Sequence, residues 1–265
     1  MSAEILVGTS GYSFRDWVGP FYPPGTKAGD FLEFYSERFP TVEVNATYYA
    51  IPAPAMLERM AAKTPDPYRF IVKLNQAFTH DPTFDAGTVR RFLDAIAPLK
   101  HAGKYDGLLA QFPWKFRRTP EHRKHLLALR EALPDEPLFV EFRHDSWLTP
   151  ELEPSLREHH LGYCAVDEPH LPGMMPPVTM VTAEDAYVRF HGRNAKTWYA
   201  GDRSTRYDYS YSREELQEWV RKIGELAEQT RRVYLFFNNC HAGQAARSAK
   251  LMQDLLRQQG LMPAR

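Results

Sequence analysis

Eight short runs of β-branched and aromatic residues recur along the 265-residue chain, and helical patterns fill most of the gaps between them. The runs are Glu4–Gly8 (EILVG), Thr41–Asn45 (TVEVN), Arg69–Leu74 (RFIVKL), Gly107–Gln111 (GLLAQ), Leu138–Arg143 (LFVEFR), Gly162–Asp167 (GYCAVD), Ala186–His191 (AYVRFH) and Val233–Asn238 (VYLFFN). Runs this short and this apolar suit strands covered on both faces. Strand and helix in alternation imply parallel pairing through right-handed crossovers. Eight such units close into a (β/α)8 barrel, an α/β fold that takes roughly 250 residues as one unit. An open doubly wound sheet competes, but it usually has fewer strands, and no GxGxxG follows the first run. The expectation is one TIM barrel over residues 1–265.

The gaps carry their own signals. Asp30–Phe39 places Phe31, Phe34, Tyr35 and Phe39 at helical spacing, and Thr88–Leu99 does the same with Val89, Phe92, Leu93 and Ile96. Thr119-Pro120 reads as a cap followed by proline in the first turn. Ser212–Glu215 (SREE) is a capping box, followed by the apolar face of Leu216, Trp219, Ile223 and Leu226. A last helix is predicted from about Gly243 to Gln259, with weaker helices over Pro54–Lys63 and Pro150–His160. The sixth unit breaks the pattern: residues 168–185 hold Pro169, Pro172, Pro176 and Pro177 and have no helical period, so an irregular loop is expected there.

Composition narrows the function classes. Thirty-three basic and thirty-three acidic side chains cancel, which argues against wholesale electrostatic binding of nucleic acid or membrane while leaving room for a local basic patch. No apolar run reaches the roughly 18 residues of a membrane span, and the opening MSAEILVG has no secretory pattern. Cys164 and Cys240 alone cannot build a disulfide framework or a four-cysteine zinc site, so a reduced, cytoplasmic protein is expected.

The working face of such barrels is the C-terminal end of the strands. Trp17, Trp114, Trp147 and Trp198 all fall just after predicted strands, and only Trp219 lies on a helix. Tyr12, Phe14, Phe21 and Tyr22 crowd the first loop; Tyr199, Tyr207, Tyr209 and Tyr211 crowd the seventh. Rings at a mouth can stack on sugars or bases, or can pack loops over the barrel. Strand alternation adds polar groups beneath them. With Val42 and Val44 facing helices, Glu43 and Asn45 turn inward; Lys73, Glu141 with Arg143, and Arg189 with His191 follow by the same parity, while Gln111 and Asp167 end their strands. Buried charges must be paired, so ion pairs such as Glu43 with Lys73, or Glu141 with an arginine, are one explanation. A whole polar layer under aromatic rings also marks a candidate site.

Three chemistries fit. Arg189, His191 and Arg193, with Asn238, Asn239 and Ala242-Gly243 leading into the last helix, suggest an anion site between loops seven and eight, unless the arginines pair with Glu141 or Asp167. His80, His144, His191 and His241 near Glu43, Glu141 and Asp167 could hold a divalent ion, but HxH and HExxH spacings are absent and no cofactor is predicted. Glu141, Glu43, Lys73 and His191 are the candidate catalytic acid–base groups; a desolvated Lys73 could also form a Schiff base. A direct Glu43–Glu141 pair is not expected across an eight-strand ring. Cys164 and Cys240 are assigned no catalytic role.

These residues belong to ordered motifs: GTSGYSFRDWVGPFYP at 8–23, VEVNATYYAIP at 42–52, FIVKLNQAFTHD at 70–81, LLAQFPWKF at 108–116, VEFRHDSW at 140–147, YVRFHGRN at 187–194 and YLFFNNCHAGQAA at 234–246. The set resembles the YecE-like family, domain of unknown function seventy-two, over nearly the whole chain. The resemblance implies a TIM barrel and no established reaction. It places Glu43, Asn45, Thr47, Tyr48, Lys73, His80, Gln111, Glu141, Arg143, Trp147, Arg189, His191, Gly192 and Asn238 at motif positions. One departure is NNCHAG, where relatives tend to carry an acidic residue near Cys240 or His241. Metal-dependent endonucleases of damaged DNA share the barrel, an analogy of fold alone.

The leading expectation is an enzyme with a polar pocket at the barrel mouth, acting on a small anionic, phosphorylated or sugar-like ligand through hydrolase- or lyase-type acid–base chemistry. Arg143, Arg189, Arg193, Asn45, Tyr48, His80, Gln111, Trp147, Asp167, Trp198, Asn238 and Tyr12 are its candidate binding residues. On this reading Glu141→Gln removes turnover and leaves melting nearly unchanged. The first alternative is a nucleic-acid-binding or nuclease-like protein. Loop seven interleaves Arg193, Lys196, Arg203 and Arg206 with rings, and loop four sets Lys115, Arg117 and Arg118 beside Trp114 and Phe116; Asp202 and Asp208 count against it. The second alternative is a ligand sensor or scaffold, which predicts a mouth filled by side chains. No membrane partner is expected, and the sequence leaves oligomeric state open.

Overall fold

Each of the eight β-rich runs forms a strand. A computed structural model describes residues 3–80, 84–199 and 203–263. The strands are β1 (Glu4–Thr9), β2 (Thr41–Val44), β3 (Arg69–Lys73), β4 (Tyr105–Gln111), β5 (Leu138–Glu141), β6 (Leu161–Asp167), β7 (Asp185–Phe190) and β8 (Arg232–Phe237). All are parallel and follow one another around a single sheet, with β8 returning to pair β1. The result is a nearly closed TIM-type barrel.

The seam between β1 and β2 is closed by other means. Ser10 bridges Glu43, and the Gly11 amide donates to the Glu43 carbonyl at 2.9 Å. Below them the Tyr35 hydroxyl accepts from the Thr9 amide at 2.8 Å and donates to the Thr41 carbonyl at 3.2 Å. Gly8 makes this approach possible, because a Cβ there would sit 2.3 Å from the Thr41 carbonyl oxygen.

The helices are α1 (Phe31–Ser36), α2 (Ala46–Tyr49), α3 (Pro54–Ala62), α4 (Gln76–Thr79), α5 (Ala86–His101), α6 (Pro120–Ala132), α7 (Leu152–Glu158), α8 (Arg203–Arg206), α9 (Arg213–Ala227) and α10 (Gln244–Gln258); the longer ones cover the outside, and α2 and α8 lie at the mouth. Their starts obey the capping chemistry in the sequence. Thr119 accepts from the His122 amide, and Ser212 with Glu215 forms the full capping box of α9. The sixth unit is irregular as expected, with no helix between β6 and β7. Four-residue α2, α4 and α8 escaped the sequence reading, since one turn shows no apolar period. The first and seventh helices are shorter than the patterns suggested.

Two apolar layers result. The larger fills the space between strands and helices; the smaller lies inside the barrel and comprises Leu6, Ile71, Leu109, Phe139, Cys164, Tyr187, Tyr234 and Phe236. Gly162 leaves room for the Phe139 ring, which would lie 2.5 Å from an added Cβ. The inner layer is a solid plug, and the polar residues of the strand ends rest on top of it.

Candidate functional site

Parity along the strands sets an alternating chain of charge on that plug. Tyr187 donates to Glu43 at 2.6 Å; Arg189 spans Glu43 at 2.7 Å and Glu141 at 2.5 Å; Arg143 grips Glu141 and reaches Glu168 at 2.8 Å. Glu43, Glu141, Glu168 and Arg189 are each at most 2% exposed. Such charges persist in a dry interior only because each finds its opposite. Burial works against the Glu141 carboxylate, but Arg143 and Arg189 hold it well below the usual carboxylate range. Glu168 has one cation to share, and burial raises it to about 8.

His191 is fully buried in the same layer. Its Nδ1 faces two donors, Asn238 Nδ2 at 3.1 Å and Arg143 at 3.4 Å. Nδ1 must therefore accept, which puts the proton on Nε2, 3.4 Å from Glu141. Burial and Arg143 lower its pKa to about 3, so the ring is neutral at ordinary pH.

Above this floor the strand ends open into a cleft of about 1090 Å³. Glu43, Asn45, Lys73, Gln111, Arg143 and Asn238 form its polar base, with His80 to one side. Lys73, partly buried, donates to Gln111 Oε1 at 2.8 Å and lies 4.5 Å from the centre of the Tyr48 ring. It has no ion-pair partner among the described residues. Burial, then Arg189, lowers its pKa to about 7. Burial and Lys73 likewise lower His80 to about 4. The Asn45 Oδ1 is buried with no hydrogen-bond partner among the described residues.

The walls are aromatic. Trp198 meets Tyr207 edge-on at 5.9 Å, Trp114 meets Tyr199 at 6.5 Å, and Tyr12 and Tyr48 complete the rim. Arg206 lies over Trp198 and Arg117 over Trp114.

The sequence-predicted residues divide into three groups. Glu43, Lys73, Asn45, Tyr48, His80, Gln111, Arg143, Trp198, Asn238 and Tyr12 meet at the cleft. Glu141, Arg189 and His191 lie in the ion-paired layer beneath it. Asp167, Arg193 and Trp147 lie elsewhere. β6 turns Cys164 into the barrel, so Asp167 points outward, where Trp219 donates to it at 2.6 Å, Tyr211 at 2.7 Å and Arg193 at 2.8 Å. Trp147 is buried against Phe142 and Phe116 and donates to the Phe116 carbonyl. Trp17 likewise plugs the first loop and donates to the Cys240 carbonyl. Asp202 and the side chain of Arg203 lie outside the described residues.

The expected anion site before the last helix is corrected too. The Ala242 amide donates to the Asp16 carboxylate at 2.7 Å, so the protein's own anion already sits there. The lysine–glutamate pair considered for Glu43 is replaced by Arg189 with Glu43. Glu168 was missed, although its signal was present: it shares parity with Cys164. His80, His144, His191 and His241 do not gather, and the described residues hold no cluster of three or more His, Cys, Asp or Glu placed to bind a metal ion.

Fold and site together define a TIM-barrel protein with a ring-walled cleft over an ion-paired floor. The chain belongs to the family described as Protein of unknown function DUF72, whose model matches residues 6–265. It is 32% identical to UPF0759 protein YunF of Bacillus subtilis, over 95% of this chain and 94% of the relative. It is 26% identical to UPF0759 protein YecE of Escherichia coli K12, over 85% of each. A crystal structure of a DUF72 family protein from Thermotoga maritima superposes with a TM-score of 0.89 at 38% identity, covering 96% of this chain and 99% of that one. No described helix is long and apolar enough to cross a membrane.

Proposed function

We propose that the protein is an enzyme whose cleft takes a small anionic, oxygen-rich compound of the phosphorylated or sugar-acid kind. The observation that carries this is the charge balance of the cleft. Every carboxylate of the floor is tied to an arginine, whereas Lys73 faces the cavity with, among the described residues, an amide and a ring for company. With Glu168 raised to about 8 and so neutral near pH 7, the two arginines offset Glu43 and Glu141, and a protonated Lys73 is the cation left for an anion; Tyr48, Trp198 and Tyr207 offer faces to a sugar-like skeleton. Lys73 near neutrality is also poised to move a proton. Glu141 and His191 act here through Arg143 and Asn238 as positioning groups. The free cysteines accord with a reducing cytoplasm.

Sulfate keeps its charge near neutral pH and is a clean probe. The charged groups facing Lys73 are Arg189, Glu43, Glu141, Arg143 and His80; Glu168, bonded to Arg143 and raised to about 8, titrates in the same range and adds negative charge to the floor as pH rises. Because its pKa is about 7, the ammonium binds below that pH and is lost above it. Calorimetry should show sulfate binding about tenfold more weakly at about pH 8 than at about pH 6, with proton uptake on binding. Lys73→Met should remove most of that pH dependence, leaving the smaller part that Glu168 sets. Binding unchanged by pH and by that substitution would overturn the reading.

A second reading rests on Arg117 over Trp114 and on Tyr199, 59% exposed, at the rim. These could stack and clamp a single strand. The same titration with a short single-stranded oligonucleotide distinguishes it: salt-sensitive binding that survives Lys73→Met favours the rim.

A further inference from the structure

We infer that Lys73 is a nucleophile that forms a Schiff base with the carbonyl carbon of a small aldehyde or ketone bearing a carboxylate or phosphate. This rests on the anion-cleft reading and deepens it.

Four observations converge. Lys73 is the one lysine among the described residues lining the cleft. It ends a barrel strand, with its stem fixed by β3 and its Nζ held by Gln111 Oε1 at 2.8 Å. No carboxylate pairs with it among the described residues, although three stand in the layer below, each held by arginine. Burial and Arg189 outweigh Glu43 and Glu141 and lower its pKa to about 7, so both the ammonium and the free amine are present near neutrality. Free amine at neutral pH is what carbonyl addition requires, and a structural lysine would instead be expected to sit in an ion pair.

The rest of the cleft suits the same substrate. Arg143 borders the cleft beside Lys73, with its charge shared by Glu141 and Glu168. Asn45 Oδ1, buried and unpartnered among the described residues, is an acceptor for a substrate hydroxyl.

The step balances. The amine lone pair attacks the carbonyl carbon, and a C–N bond forms as the C=O π bond opens onto oxygen. Oxygen takes up a proton, giving a carbinolamine, while nitrogen releases one to water in the open cleft. The C–O bond then breaks, the hydroxyl takes a second proton and leaves as water, and the nitrogen pair closes the C=N bond. No oxidant or further reactant is needed.

Borohydride trapping tests this on the full chain. Pyruvate, glyceraldehyde 3-phosphate and uncharged acetaldehyde are the probes, followed by peptide mass mapping. The expected result is a reduced adduct on Lys73 with pyruvate or the phosphate, approaching one per chain, at least tenfold above any surface lysine and competed by sulfate. The two anionic probes separate a carboxylate-bearing from a phosphate-bearing substrate. Lys73→Met should lose the adduct; if that variant does not fold, the site map of the unaltered protein decides. Adducts spread evenly over surface lysines, or none at Lys73, overturn the imine. Sulfate binding without an adduct sinks the imine alone. Labelling of Lys73 by acetaldehyde as readily as by pyruvate, with no sulfate competition, keeps the imine and sinks the anion requirement.

Discussion

Glu141 answers to Arg189, Arg143 and the Nε2 of His191 at once. The sequence treats it as a catalytic carboxylate whose amide variant melts normally. The structure removes it from the cleft surface and makes it the counter-ion of two buried arginines. Breaking a buried pair by removing one partner typically costs about 3–5 kcal/mol. Glu141→Gln is therefore expected to lower the melting temperature by on the order of 10 °C, read by differential scanning calorimetry. An unchanged melting temperature would return Glu141 to a purely chemical role. Lys73→Met, by contrast, removes a cation that has no ion-pair partner among the described residues and should leave melting little changed or slightly raised.

At the scale of elements, strand alternation is what aims these side chains. Parity placed Glu43, Lys73, Glu141 and Arg189 inside correctly, because each shares a face with a residue of the inner layer or sits opposite a helix-facing valine. Asp167 was misplaced because it was judged by position at a strand end instead of by its parity with outward Tyr163 and Ala165. The seam between β1 and β2 depends on Gly8. Gly8→Ala should destabilise by about 1–3 kcal/mol or more, because its methyl would meet backbone at Thr41 and backbone cannot step aside. Gly29→Ala, with nothing within 4 Å, is the matched control. Urea unfolding of the two variants checks this; equal stabilities would mean that the seam is looser than described.

For the whole molecule, stability on the acid side follows from the buried floor. His191 titrates near 6.5 when unfolded and at about 3 when folded, and Glu141 is also depressed. The unfolded chain thus binds more protons between those values, so stability is complete above about 6.5 and is lost as pH falls toward 3. Glu168, raised to about 8, has the opposite sign and loses its contribution as pH rises through that value. Lys73, lowered to about 7, adds stability as pH rises from there toward 10.5. His191 and His80 together outweigh the single opposing slope of Glu168 between about pH 6.5 and pH 4.5, so melting curves should fall from about pH 6.5 to about pH 4, and a flat profile in that window would contradict the buried assignment of the two histidines.

The chain's local chemistry was enough for the architecture. Eight apolar runs, their helical spacers, the Thr119 and Ser212 caps and the proline-rich sixth loop specify a barrel, since each is a short-range preference repeated along the chain. The motif residues and the strand parity also marked most of the cleft. Tertiary structure alone decided the pairings. That Arg189 bridges two carboxylates from β2 and β5, that Asp16 fills the turn before α10, and that Lys73 has no counter-ion among the described residues depend on which groups meet across the ring. Such partnership acts through space between residues tens to more than two hundred positions apart, and no periodicity along a chain encodes it.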